Sequence, residues 1–197
     1  MTQAPRHLLG ARLHERAPAV GSGAKDGYPF HFPWLRGLDL SFTTPVTFLV
    51  GENGSGKSTL LEALAELCGL PAAGGSLAEA GATYAPETRA ALAPALRPAF
   101  RHRPRDGYFF RAEHQAHLAA LLELRERDPD FIGDPYQHYG GRSLLQRSHG
   151  EAFLELMQHR LHSGLVLMDE PESALSPERQ LALLALMADR ADRLSAQ

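Results

Sequence analysis

Cysteine is nearly missing from this chain. Cys68 stands alone, so no intrachain disulfide can form and a reducing compartment is expected. Lysine is almost as scarce, confined to Lys25 and Lys57, with arginine carrying the remaining positive charge. No stretch approaches the ~20 consecutive apolar residues of a membrane span, and Met1 to His7 lacks the apolar centre of a secretion signal. A cytoplasmic location is the expectation. The formal charge of −3 argues against a generally basic nucleic-acid binder while leaving room for a local patch. Long heptad runs are also missing, so nothing here suggests a coiled-coil arm. What remains is ordinary for a soluble domain: 197 residues, 44% hydrophobic and 22% charged, enough for one domain over residues 1–197.

Against that background one stretch stands out. Gly51-Glu52-Asn53-Gly54-Ser55-Gly56-Lys57-Ser58-Thr59 fits the phosphate-loop pattern G-x-x-x-x-G-K-[ST] without a gap. Val46 to Val50 in front reads as a short buried strand. Behind it Leu60, Leu61, Leu64, Leu67 and Cys68 recur at helical steps until Gly69 and Pro71 supply a stop. The glycines let backbone N–H groups close on an anion, and the positive end of the following helix adds to the attraction. Lys57 would reach the β- and γ-phosphates of ATP, and the Ser58 hydroxyl would take one position on Mg²⁺.

Three strand-like segments precede the loop: Leu8 to Glu15, Tyr28 to Leu35, and the alternating Leu38 to Phe42. They suggest an antiparallel edge beside a parallel nucleotide-binding core. In the second, Tyr28, Phe30, Phe32 and Trp34 alternate with Pro29, His31 and Pro33. One face of it could stack on adenine, although core packing is the plainer reading. Residues 70–106 are broken by five prolines and read as a mobile excursion. They carry Arg97, Arg101, His102, Arg103 and Arg105, a solvated basic face or a phosphate-binding one. Gly107 to Phe110 then reads as a buried strand and Glu113 to Arg127 as a helix. The His114/His117 and His159/His162 pairs have no third ligand at a useful spacing for zinc.

Ser148-His149-Gly150-Glu151 opens a further helix, from Ala152 to Leu161, with Ser148 and Glu151 placed as a capping pair. Leu165-Val166-Leu167-Met168-Asp169-Glu170 is the pattern of a buried parallel strand that delivers acids to its carboxyl end, where open α/β sheets bind ligands. Asp169 would hold Mg²⁺ through water, and Glu170 would act as general base on the attacking water. A last helix, capped by Ser176 with Pro177 in its first turn, runs to about Leu194.

With the loop, the Ser148 turn and the run Asp169 to Ser176 in hand, the chain resembles the ATP-binding-cassette superfamily. Within it, the chain looks most like small bacterial ATPases of AAA-family label, which are similar to the heads of structural-maintenance-of-chromosomes and RecF-type proteins. The resemblance implies an α/β phosphate-loop NTPase fold: a mostly parallel core sheet flanked by helices, with an N-terminal antiparallel edge. It implies ATP and Mg²⁺ as ligands and ATP hydrolysis coupled to a homodimer in which Ser148 and Gly150 face the γ-phosphate held by a second subunit. A non-hydrolysing switch acting through a partner is the alternative, and a transporter subunit a weaker one. For the glutamine that such proteins carry after their middle strand, Arg111, Glu113 and Gln115 stand as candidates. The resemblance further implies a histidine-bearing strand between Val46–Val50 and the Asp169 strand. None follows here, so the expectation is a slot between two strands and impaired hydrolysis.

Overall fold

The computed structural model describes residues 7–18, 27–77, 89–112, 115–137, 139–143, 149–161 and 164–193. In chain order its elements are β1 (Leu8–Leu13), β2 (Asp39–Ser41), α1 (Lys57–Leu67), β3 (Gly75–Ser76), β4 (Leu96–Phe100), β5 (Gly107–Arg111), α2 (Gln115–Arg127), α3 (His149–Arg160), β6 (Leu165–Asp169) and α4 (Pro177–Arg193). Short 3₁₀ turns sit at Pro33–Leu35, Ala93–Ala95 and Pro171–Ala174.

Alternation along β1 and β4 builds the first sheet, in the order β2-β1-β4 with β1 antiparallel to both neighbours. Leu8, Ala11 and Leu96 turn inward, while Arg12 and Arg97, paired across the two strands, are exposed. Pro98 fits within β4 because the strand lies on the sheet's edge, where a missing N–H is tolerated. The second sheet has the order β3-β5-β6, with β5 and β6 parallel from Gly107 opposite Leu165 to Arg111 opposite Asp169. Side chains on successive β5 residues point to opposite faces. Phe109 accordingly meets Ala65 of α1 on one side, and Tyr108 and Phe110 meet the helices α2, α3 and α4 on the other.

Helix α1 lies between the sheets. Leu60, Ala63, Leu64 and Cys68 pack with Leu8, Leu35, Leu92, Leu96 and Leu165 in one cluster. Each fully buried leucine there contributes about 1.5–3 kcal/mol. The second core is built on Phe110 and Phe153, whose rings meet edge to face at 4.3 Å. The Arg160 guanidinium lies 5.1 Å from the ring centre of Tyr108 and 4.8 Å from that of Tyr139, two buried rings of the same core. No helix among the described residues is long and apolar enough to cross a membrane.

Several sequence expectations change here. Tyr28 to Leu35 is no strand: Phe30 N–H donates to the Gly27 carbonyl and Leu35 N–H to that of Phe32, so the segment is a chain of turns. Pro29 and Pro33 cannot donate to a sheet ladder, and a turn satisfies their neighbours instead. The proline-broken stretch after α1 supplies β3 and β4. Val46 to Val50 belongs to neither sheet, so the single mixed sheet becomes two. Phe48 and Val50 are 65% and 93% exposed.

Candidate nucleotide site

The glycine loop leads straight into α1, whose first residue is Lys57. Gly54 and Gly56 have φ of 76° and 93°, a region that side chains disfavour, so the two tight reversals of the loop require glycine. Lys57 Nζ donates to the Gly51 and Glu52 carbonyls, each at 2.8 Å. The lone ammonium of the loop thus sits on the loop's own backbone. Glu52, Asn53 and Gly54 are exposed at the tip, and Ser55 N–H closes the turn on the Glu52 carbonyl at 3.2 Å.

The acid end of β6 meets this loop. Ser58 Oγ donates to Asp169 Oδ1 at 2.9 Å, joining positions 111 residues apart. Asp169 is buried, whereas Glu170 beside it is exposed with φ 49°. The Glu170 carbonyl accepts from the Ser173 backbone at 3.1 Å and from its hydroxyl at 2.8 Å, which holds this left-handed bend. Two oxygen donors of this kind suit a hard cation that keeps most of its waters, and so fit Mg²⁺. No group of three or more His, Cys, Asp or Glu that would hold a metal by protein ligands alone occurs among the described residues.

Arg111 completes the arrangement from the end of β5, directly across from Asp169 in the parallel register. Its guanidinium lies 2.8 Å from Glu62 Oε1 of α1 and 3.7 Å from Asp169 Oδ2, and it donates to the Ala72 carbonyl at 3.3 Å. Of the three candidates for the position after the middle strand, Arg111 is the one whose side chain is described, and it lies at the acid. Glu113 lies outside the described residues, and α2 starts at Gln115. Glu62 was not singled out from the sequence. It stands with Glu66 on a leucine-rich helix, where carboxylates read as solvent-facing.

Residues 30–74 match the family model of an AAA domain. The AAA-matched segment runs from the aromatic turns through the whole glycine loop and α1 to the threshold of β3, less than a quarter of the chain. No curated protein and no solved structure matches the chain. Asp169, Glu170 and Arg111 all lie beyond the AAA-matched segment, and only folding brings them to it.

The expected signature turn is described in part. Ser148 falls outside the described residues, and α3 begins at His149, with Gly150 buried in its first turn. The capping pair expected of Ser148 and Glu151 therefore lies outside the described residues, and Glu151 forms an ion pair with Arg179 on α4 at 3.1 Å. An apolar groove of about 400 Å³ borders the site, with Phe48 and Leu49 on one wall, Leu165 and Leu167 on the other, and Leu183 and Met187 of α4 also in its lining. Lys57, Asp169 and Glu170 take part in that lining.

Proposed function

We propose that the chain binds ATP with Mg²⁺ and hydrolyses it to ADP and phosphate. The observation that carries this reading is the 2.9 Å contact of Ser58 with Asp169, which joins a phosphate loop to the acid end of a parallel strand. The loop's backbone N–H groups bind the phosphates, and Lys57 exchanges its two carbonyl partners for β- and γ-phosphate oxygens. Ser58 and Asp169 would hold Mg²⁺, which would supply positive charge against the phosphates. Glu170 accepts a proton from the attacking water as its oxygen bonds to the γ-phosphorus, while the bond from that phosphorus to the bridging oxygen of ADP breaks.

In the same proposal ATP joins two copies head to tail, with Ser148 and Gly150 of one facing the phosphates on Lys57 of the other. Lys57→Ala should weaken ATP binding at least tenfold with the fold intact, read by calorimetry and circular dichroism. Unchanged affinity would remove the assignment of the loop. Glu170→Gln should still bind ATP yet stop turnover, so that the dimer persists in light scattering. A monomer under saturating ATP, for both the parent and this variant, defeats the dimer.

A second reading, a slow or non-hydrolysing ATP switch, is favoured by the groove. Among the described residues Val46 to Val50 joins no strand, and β6 is the last strand of its sheet. An extended apolar segment laid between them would meet two open backbone edges. In this reading turnover is weak until such a segment, from a partner, fills the slot. Steady-state ATPase assays with and without an added strand separate the two: equal turnover supports the first.

A further inference from the structure

Against Ser55 and Gly56 of the loop stands a cluster of rings that the proposed chemistry does not use. Trp34 Nε1–H donates to the Ser55 carbonyl at 2.6 Å. Its ring stacks on Phe32 at 5.7 Å with the planes 22° apart. Both rings press on Gly56: a Cβ placed there would lie 3.0 Å from Phe32 Cε2 and Cζ and from Trp34 Cζ2. One turn further along α1, the Tyr28 hydroxyl and Thr59 Oγ1 are 3.0 Å apart.

We propose that Trp34 is a positioning residue which sets the direction of the Ser55–Gly56 peptide and thereby aims the Gly56 N–H at the bound phosphate. The inference rests on the ATP-binding reading above. A trans peptide is planar, and its C=O and N–H point in opposite directions. A short indole bond to the Ser55 carbonyl therefore drives the Gly56 N–H away from the aromatic cluster. Glycine at 56 adopts the left-handed φ of 93° and carries no side chain to fix this peptide, so without an outside partner the plane has a low barrier to rotation. The stacked Phe32 ring holds the indole in place. The loop is thus preorganised as an anion site before any ligand arrives.

Trp34→Phe keeps an aromatic ring against Gly56 and deletes the N–H. Affinity for inorganic pyrophosphate and for ATP, by calorimetry, should fall about tenfold, while the thermal midpoint without ligand stays within a few degrees of the parent's. Equal pyrophosphate affinity in both proteins overturns the inference and leaves the ATP-binding reading standing. A parent that binds neither ligand removes both. Should the variant fail to fold, the parent decides. Trp34 is the chain's one tryptophan, so its emission must change saturably with pyrophosphate at the calorimetric affinity. A flat emission titration where heat is released overturns the proposal.

Discussion

Arg111 shows how one side chain ties three parts of the site. Its guanidinium meets a carboxylate on α1, the carboxylate at the end of β6 and a carbonyl after α1. Removing one partner of a fully buried ion pair costs about 3–5 kcal/mol, because the other charge is stranded. The side chains of Arg111 and Glu62 are 14% and 22% exposed, so water relieves part of that cost. We expect Arg111→Ala to lower unfolding free energy by about 2 kcal/mol in urea titrations. A loss below about 0.5 kcal/mol would make the contact a surface pair of the ordinary kind. That Arg111 lies at Asp169 was not legible in the sequence, which offered three candidates over five positions. The parallel register alone sets which residue faces the acid. The meeting of Ser58 and Asp169 was legible, since a loop pattern and an apolar strand ending in acids each point to the same end of a sheet. Trp34 was noticed only as a ring, because a bond to a backbone carbonyl leaves no trace in residue spacing.

Among the elements, α1, β5, β6 and α4 follow from local pattern: helical steps with a glycine stop, apolar runs of strand length, and a serine cap before proline. Val46 to Val50 has equally good strand composition and still joins no strand among the described residues. Strand composition measures fitness for a pleated, half-buried surface, and the surface has to be supplied by a neighbour. The arrangement into two sheets was hidden for the same reason, since long-range pairing is not written locally. The outward ring of Phe48 has an expected consequence. Phe48→Ser should change unfolding free energy by less than about 0.5 kcal/mol, as an exposed position does. It should also reduce concentration-dependent light scattering by removing an apolar edge. A large loss of stability would show that this ring is covered in solution.

At the scale of the molecule, acid is expected to act through the core built on α2 and the turns after it. Glu123 accepts from the Ser143 hydroxyl and from the Tyr136 hydroxyl at 2.9 Å, and the latter also lies 3.0 Å from Glu126. The Ser143 bond, then the Tyr136 bond, holds the Glu123 carboxyl below its usual 4.5. A lowered carboxylate stabilises the native state fully above its unfolded pKa, and that contribution drains as pH falls through the lower native value. Ser143→Ala should therefore lose stability above pH 4.5 and converge on the parent in more acid solution, read as urea midpoints from about pH 6 to about pH 3.5. A constant gap between the two curves would exclude the charge as the cause. Burial likewise pushes the Cys68 thiol up to about 12, so alkylation near neutral pH should await unfolding.

Helix α1 packs one face against the cluster that includes β1 and β4 and another against Phe109 of β5. Its first turn is also the floor of the glycine loop. A ligand that steadies that turn therefore damps the opening of two sheets at once, because neither can swing out without uncovering the helix they share. In amide hydrogen exchange, protection gained with pyrophosphate should extend to β4 and β5 together, making the phosphate loop the latch of one cooperative unit.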